Sequence, residues 1–317
     1  MARRDAHADR ILTAVDDGAA PAASVVAASW RRCVTLYGLD PEQSRAPEML
    51  GAAELRAARE RLEPLMHAAH ASLDRLAAAV VELGCCVLLT DAEGAPVERR
   101  SAAADEAEFD ARGLRPGAIW SEAQQGTNGI GTCLAEGRAL TIHRDQHFRT
   151  RNTALSCTVA PIHDDRGRLA AALDVSCRHE TLVPGMIGLV AAAVAEAARA
   201  IEAAHFRAAF ADARILLAPG AEGGAVSLLA VDRDDLVIGA TRAARLALGV
   251  TDATLAAAPP AADLLRFGDA GDPLGEAERS ALRQALARAR GNVSAAAKLL
   301  GVSRATLHRK LSRLGLR

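Results

Sequence analysis

The sequence predicts an α+β body followed by an all-α tail of three short helices. Two observations support this division. The period of the apolar residues changes along the body from helical to strand-like and back to helical, whereas the tail is helical throughout. Residues 274–317 hold ten basic and two acidic side chains, a net charge of +8, so residues 1–273 carry a net charge of −9. A basic tail on an acidic body indicates that one end of the chain contacts a polyanion.

The composition excludes several classes of protein. No apolar run reaches the ~18 residues that a membrane span requires, and no signal-peptide pattern follows the charged start, so we expect a cytoplasmic protein that does not bind membranes. The only lysines are Lys298 and Lys310, and neither follows a glycine, so the phosphate-binding loop of P-loop ATPases cannot form. The six cysteines form no Cys-x-x-Cys pair, which predicts reduced thiols rather than a disulfide framework or a structural zinc site.

The elements of the body are predicted from the N-terminus onward. The first forty residues are expected to be loosely ordered before a short lead-in helix, and residues 52–83 form a helix with a kink or break at Pro64. A long helix over 185–210 ends the domain. Between the two helices, apolar runs bounded by turn residues predict strands at 85–90, 96–101, 139–143, 155–162 and 168–177. Helices around a sheet whose last two strands form a hairpin make this an α+β domain.

A weaker strand pattern runs over residues 225–239, with a turn at 232–235 and a helix over 241–248. A stretch rich in Pro, Gly and Asp then indicates a linker. The chain is therefore predicted to begin with an N-terminal extension and its lead-in helix (1–50), followed by a domain flanked by long helices (51–212). A short mixed segment (222–265), a linker (266–273) and a basic helical domain (274–317) complete it.

Three helices fit the basic tail. The first covers residues 276–289, where Glu276 and Glu278 suit the positive end of the helix dipole. Asn292 or Ser294 caps the second helix, and Ser303 caps the third. The second and third helices can cross closely because small, turn-forming and apolar residues occur at the required spacing, namely Ala297, Gly301, Val302 and Leu307. This spacing predicts a helix-turn-helix.

Residues 291–311, GNVSAAAKLLGVSRATLHRKL, closely resemble the Fis-type helix-turn-helix family. The resemblance implies a homodimer that binds two half-sites of double-stranded DNA, with Arg304 at a guanine edge in the major groove. His308 stands where the family often has a longer basic residue. The candidate DNA-binding residues are polar side chains of the second and third helices and their caps: Asn292, Ser294, Ser303, Arg304, Thr306, His308, Arg309 and Lys310.

The body carries motifs in a second characteristic order. They are SWRRC at 29–33, YGLDP at 37–41, WSE at 120–122, GTNGIGT at 126–132 and LDVS at 173–176. Together they resemble the GAF-type sensor region of the acetoin-catabolism regulator family of bacterial enhancer-binding proteins. The resemblance implies a GAF-like antiparallel sheet with long dimerising helices, a small-molecule effector and RNA polymerase as a further partner, and residues 225–265 look like a shortened PAS segment. Members of that family carry an ATPase before the helix-turn-helix, which the lysine positions exclude here.

The candidate effector-binding residues lie within or beside these motifs: Trp120, Glu122, Thr127, Asn128, Cys133, His147, Cys157 and Asp174. The glycine-rich segment 126–131 has two interpretations, since its backbone N–H groups could approach a ligand, or a tight turn could place a helix on the sheet. Cys133, Cys157, His143 and His147 could bind a metal if the fold gathers them, although scattered cysteines are more often apolar fillers. We therefore predict no metal, no cofactor and no catalytic residue.

The motifs together predict a bacterial one-component transcription regulator and not an enzyme. A GAF-like domain would sense a small-molecule effector, and a Fis-type domain would bind palindromic DNA as a homodimer, without ATPase-driven activation of sigma-54 polymerase. The alternatives are a thiol- or metal-based redox sensor regulator and a GAF-type thiol reductase, which would need an accessible thiol of low pKa. A nucleoid-shaping protein that bends DNA without sequence choice is a further alternative.

Overall fold

The computed structural model describes residues 6–17, 24–43, 45–178, 184–219, 226–265 and 273–314. The chain forms two units, one up to Leu265 and one from Arg266 onward. The first unit contains two antiparallel sheets with helices, and the described part of the second is helical, so the predicted fold class is confirmed. No helix in these described ranges is long and apolar enough to cross a membrane.

Two helices lie in the N-terminal segment, so the expectation of loosely ordered sequence is wrong for these two stretches. Helix α1 covers Ala6–Asp16 and helix α2 covers Val25–Thr35. Their apolar faces join a cluster in which Ile11 and Cys33 are fully buried together with Phe148. Because Phe148 lies far along the chain, the local pattern could not reveal that these helices have a partner to pack against.

Helix α3 covers Ala52–Val80 and is followed by a single 3₁₀ turn. Pro64 lies inside this helix, so the predicted break does not occur. A proline removes one helical hydrogen bond, here to the carbonyl of Glu60. Both Pro64 and Glu60 are exposed, so water can bond that carbonyl, while the neighbouring Leu62 and Leu65 are buried and hold the helix in place.

A five-stranded antiparallel sheet lies at the centre of the first unit. Its strands are β1 (Cys85–Asp91), β2 (Pro96–Arg100), β3 (Leu140–His143), β4 (Leu155–His163) and β5 (Leu169–Arg178), in the order β2-β1-β5-β4-β3. The first and last residues of each of these five strands lie within one residue of the predicted bounds. All seven residues of β1 are buried, which shows that both faces of the sheet are covered.

Two layers of helices cover the sheet. Helix α3 and the long helix α7 (Pro184–Ala209) pack on one face, where Leu73 and Ile201 join a core with Leu89. The other face is covered by segments that include α4 (Glu106–Arg112), α5 (Glu122–Gln125) and α6 (Gly129–Glu136). On this face Leu88 packs with Phe109, Trp120 and Ile130.

A second sheet follows α7. It contains β6 (Arg214–Leu217), β7 (Leu228–Val231) and β8 (Val237–Ala240), with helices α8 (Arg242–Leu248), α9 (Asp252–Ala256) and α10 (Ala261–Leu265). Strand β6 was not predicted, because it is a short edge strand with no fully buried residue and thus a weak hydrophobic signal. Ala225, the predicted start of this region, lies outside the described residues, as does the predicted linker 266–273 apart from Pro273.

The second unit contains three helices, α11 (Pro273–Arg288), α12 (Val293–Leu299) and α13 (Arg304–Arg313). Helix α11 begins three residues before the predicted start, at Pro273. Proline is favoured at the first helical position because its missing N–H has no helical partner there.

Candidate DNA-binding surface and candidate effector site

The helices of the second unit pack around one small core. The buried residues come from all three helices: Leu282, Ala285, Ala296, Ala297, Leu307 and Leu311. Between α12 and α13, Gly301 has a φ of +65°, in the left-handed region that favours glycine. Next to it, the backbone N–H of Val302 donates to the carbonyl of Ala297 at 3.0 Å. The small residue and the turn occupy the positions that the helix-turn-helix prediction requires.

Side chains cap both of the last two helices. The Asn292 side-chain oxygen accepts from the backbone N–H groups of Ser294 and Ala295 at 3.0 and 3.1 Å, so Asn292 rather than Ser294 is the cap of α12. The Ser303 hydroxyl accepts from the backbone N–H of Thr306 at 3.1 Å and also lies 2.8 Å from the Thr306 hydroxyl. Among the predicted DNA contacts, Asn292, Ser303 and Thr306 therefore also stabilise helix N-termini.

Helix α13 presents its cations in two different ways. Arg304, His308 and Arg309 are exposed, and the two arginines form no ion pair among the described residues. Lys310 is half-buried and, together with Arg313, forms an ion pair with Glu278 of α11. Sequence reasoning missed this contact because it placed Glu278 in the first turn of the helix. The true start at Pro273 places Glu278 beyond that turn, and the hydrogen bond from Lys310 lowers the pKa of its carboxyl group.

In the first unit, Glu122 is held by helix α2. Its carboxylate accepts from the Ser29 hydroxyl at 2.7 Å and from the Arg32 guanidinium at 2.8 and 3.1 Å. The Ser29 hydroxyl also lies 2.7 Å from the hydroxyl of Thr127, which is fully buried. The hydrogen bond with Glu122 raises the pKa of Arg32. Glu122 and Thr127 thus link α2 to the glycine-rich segment, a role that the SWRRC motif carries but that sequence reasoning did not assign.

Trp120 and Asn128 shape the turn before α6. The Trp120 indole N–H donates to the carbonyl of Gly113 at 2.9 Å. The Asn128 side chain accepts from the backbone N–H of Gly131 at 2.9 Å and donates to the carbonyls of Trp120 and Gly126 at 3.0 and 2.8 Å. Both polar groups are therefore used inside the protein.

The glycines of the segment allow α6 to approach closely. A Cβ atom at Gly129 would lie 2.6 Å from the Cβ of Cys157, and one at Gly131 would lie 2.4 Å from the backbone nitrogen of Glu122. Real Cβ atoms do not come so close, so helix packing accounts for both glycines. Of the two interpretations of this segment, the geometry supports the tight turn that places a helix on the sheet.

Four of the polar residues beneath α6 form a buried chain. The His147 Nε2 atom lies 3.4 Å from the Cys157 sulfur, and the Ser176 hydroxyl contacts that sulfur at 3.1 Å and the Asp174 carboxylate at 2.6 Å. The strand register explains this arrangement, since Cys157 of β4 pairs with Ser176 of β5. Ser176 could have been found from the sequence, because residues two apart on a strand share a face and Asp174 was already a candidate.

Burial controls the protonation of this chain. Burial lowers the pKa of His147 to about 4 and raises the pKa of Asp174 to about 7. Burial also raises the pKa of Cys157. Cys133 lies in a small cluster with Val159 and Ala172, and burial there raises its pKa to about 12. A buried thiol of raised pKa is a poor nucleophile, so these cysteines lack the accessible, ionised sulfur that a thiol reductase needs.

The structure does not gather the four residues considered as metal ligands. His147 contacts Cys157, but the His143 Nδ1 atom lies 3.0 Å from the Ser156 hydroxyl instead. In the ranges that the structure describes, no three His, Cys, Asp or Glu side chains are placed to hold a metal ion.

The expectation that all thiols are reduced is wrong for one pair. Cys85 and Cys177 lie opposite each other in the antiparallel strands β1 and β5 and form a disulfide. Their separation of 92 residues hid the pairing, because only the strand register brings them together. Cys33, Cys86, Cys133 and Cys157 are free and buried.

A cavity of about 590 Å³ opens beside His147. It is lined by His7 and other residues of α1, by His143 at the end of β3, and by residues after β3 that include Arg144 and Thr150. Two of these residues touch His147. The His7 Nε2 atom lies 2.9 Å from the His147 carbonyl oxygen, and the His147 Nδ1 atom lies 2.8 Å from the Arg144 carbonyl oxygen. The cavity therefore adjoins one end of the buried chain.

Both units of the chain match known protein families. The family described as "MimR, N-terminal domain" matches residues 4–199, and "Bacterial regulatory protein, Fis family" matches residues 273–314. The chain is 38% identical over 229 residues to the acetoin catabolism regulatory protein of Cupriavidus necator. These matched residues make up 71% of this chain and 34% of that protein. It is 31% identical over 184 residues to the acetoin dehydrogenase operon transcriptional activator AcoR of Bacillus subtilis, covering 57% of this chain and 30% of the relative.

The chain therefore spans about a third of the length of these curated relatives. A crystal structure of the DhaR(N)–DhaL complex from E. coli shares the fold, with a TM-score of 0.52 and 17% identity, over 75% of this chain and 80% of the solved one. Only residues 200–272 separate the two family matches, and they contain no lysine.

Proposed function

Because the chain belongs to the MimR N-terminal domain family and carries a Fis-family helix-turn-helix, we propose that it is a one-component transcription regulator. In this proposal the first unit senses a small-molecule effector, and the second binds palindromic double-stranded DNA as part of a homodimer. Activation by a sigma-54-type ATPase is not part of the proposal, since no Gly-Lys-Ser/Thr sequence for binding ATP phosphates exists in the chain.

The observation that carries the proposal is the exposed basic face of α13 in a helix-turn-helix of the Fis family. The N-terminal residues of a recognition helix reach base edges, and Arg304 is the first residue of α13. Its guanidinium is exposed and unpaired among the described residues, so it can donate two hydrogen bonds to a guanine edge. In this proposal His308 and Arg309, one turn further along, contact bases or phosphates. Ser294 and Lys310 donate to phosphates, and Lys310 leaves Glu278 to do so.

The effector site proposed here is the buried chain from His147 to Asp174 and its adjoining cavity. One Asp174 carboxylate oxygen is buried without a hydrogen-bond partner among the described residues, and so is the side-chain oxygen of Gln125. Buried polar atoms nearly always have a partner, so these atoms call for a water molecule or a ligand group. A ligand that binds one state of this region better than another would shift the equilibrium between them by that difference in affinity.

Selection of duplexes from a random DNA pool by the full-length chain tests this proposal. We expect enriched duplexes with two inverted half-sites about one helical turn apart, bound by two chains without added nucleotide. Enrichment of no sequence, or binding of a single chain to a single site, would contradict it. Native mass spectrometry of the same protein tests the effector site: a bound small molecule should be lost in Asp174→Asn and kept in Asp212→Asn, which changes an exposed carboxylate.

A further inference from the structure

A second cavity of the first unit lies between the first sheet with its long helix α7 and helix α8, which follows the second sheet. Its volume is about 400 Å³, within the range of small-molecule sites. Strand β4, helix α7 and residues 137–139 line one part of it, and helix α8 lines the other. The lining includes small apolar residues from all three elements: Ala160, Pro161, Ala195, Ala198, Ala243 and Leu246.

Three arginines surround this apolar lining: Arg138, Arg199 and Arg242. The Arg242 side chain forms no hydrogen bond or ion pair with the described residues. Arg138 lies 3.9 Å from its nearest acidic oxygen, on Glu136. Arg199 bonds with Glu196, an exposed residue one turn away on the same helix. The arginines therefore keep hydrogen-bond donors for a further anion.

The one acidic residue that lines the cavity is already engaged. The Glu202 carboxylate accepts from the backbone N–H of His163 at 2.7 Å and lies 2.7 Å from its Nδ1 atom. The described lining therefore holds one acid and three arginines, of which Arg199 is paired with Glu196 outside the lining, and the acid bonds to β4. The lining as a whole is apolar with an excess of cations.

From this arrangement we infer that the cavity binds a small carboxylic acid with an apolar body. The planar guanidinium group matches the two oxygens of a carboxylate, and the alanine-rich lining suits a short alkyl chain or one aromatic ring. Inorganic phosphate offers no apolar body and leaves that lining without a partner. The site is separate from the proposed effector chain around Asp174, so the inference stands beyond the proposed function.

A bound acid would join the first sheet and helix α7 to helix α8. It would contact β4 and α7 on one side and α8 on the other, so it would bind best when these elements keep the spacing seen here. Ligands that favour one arrangement of neighbouring elements shift the population toward it. In the chain, the second sheet lies between the first sheet and the helix-turn-helix, which makes this junction a suitable place for a signal to be read.

Calorimetric titration of the full-length protein tests this inference. The probes are butyrate, hexanoate, octanoate, benzoate and phenylacetate, with hexanamide and benzamide as neutral counterparts and inorganic phosphate as an anion without an apolar body. We expect at least one carboxylate to bind with a dissociation constant below 1 mM, and its amide and phosphate to bind at least tenfold more weakly.

Two variants locate the site. Arg242→Gln should weaken carboxylate binding at least tenfold, and Arg199→Gln should do the same. Arg233→Gln is the matched control, because it removes the same charge from a side chain that is 93% exposed outside the cavity. The inference is overturned if no carboxylate binds with a dissociation constant below 1 mM, if the amide or phosphate binds within tenfold of it, or if Arg242→Gln and Arg233→Gln behave alike. Circular dichroism of each variant shows whether it has folded.

Discussion

The substitution Asp174→Asn should stabilise the protein relative to the wild type as the pH rises. Asp174 is fully buried, and one of its oxygens has no partner among the described residues. Its pKa is raised from the usual 3.8 to about 7 because burial disfavours the charged form. Asparagine has nearly the same shape and carries no charge at any pH, so it removes this cost while it keeps the bond to Ser176 available.

The size of the effect follows from the pKa values. Between pH 3.8 and 7 the folded state holds a proton on Asp174 that the unfolded state has lost, so the contribution of Asp174 to wild-type stability falls as the pH rises through this window. The whole shift corresponds to about 4 kcal/mol, of which about 3 kcal/mol falls between pH 5 and pH 8. His147 acts in the opposite direction, because its pKa of about 4 makes the folded state lose stability as the pH falls below the usual 6.5. This contribution is common to both proteins and cancels in the comparison.

Urea unfolding at pH 5 and pH 8 measures the difference. Trp30 and Trp120 are the only tryptophans, and both are buried in the first unit, so their fluorescence reports on that unit alone. We expect the stability of Asp174→Asn relative to the wild type to improve by about 3 kcal/mol from pH 5 to pH 8. The exposed Asp212→Asn should show no such change. A relative stability of Asp174→Asn that is the same at both pH values would refute the argument that burial controls this carboxyl group.

Three further predictions concern packing, capping and charge. Gly131→Ala should lower the free energy of unfolding by at least about 2 kcal/mol in the same assay, because its Cβ would strike backbone atoms. Gly188→Ala, whose Cβ meets nothing within 4 Å, should not lower it. Equal effects would refute the close approach of α6. Ser303→Ala should remove about 1 kcal/mol from the second unit, seen as earlier loss of helical circular dichroism on heating, and an unchanged transition would argue against the cap. Glu278→Gln should release Lys310 and Arg313, so that binding to random DNA tightens and depends more steeply on salt; an unchanged salt slope would show that the pairing does not limit their contact with phosphates.

The sequence predicted those elements whose signals are local. Strand β1 is a run of apolar residues closed by Asp91 and Gly94, and both ends of such a run are visible without a partner. The caps Asn292 and Ser303 are likewise local, since each bonds backbone groups two or three residues away. The helix-turn-helix could therefore be placed from its own residues and from its family resemblance.

The structural features that the sequence did not predict depend on residues far apart in the chain. Helices α1 and α2 form because their apolar faces pack against Phe148. Pro64 is tolerated because the neighbouring buried leucines hold its helix in place. The disulfide between Cys85 and Cys177 needs the register of β1 and β5. At the candidate effector site, Asp174, His147 and Cys157 were named from motifs, but the chain through Ser176 appears only when two strands are paired.

Base-specific DNA binding by α13 is the central claim, and one competition measurement tests it most directly. A labelled duplex enriched from the random pool is bound by the full-length protein and displaced by random-sequence DNA or by duplexes with single base changes. The wild type should prefer its own site by about 10³-fold or more. Arg304→Ala should lose about 1 to 3 kcal/mol and become indifferent at one base pair of each half-site, while Arg233→Gln keeps the full preference. A wild-type preference near unity, or an Arg304→Ala variant that distinguishes every base as before, would contradict the account.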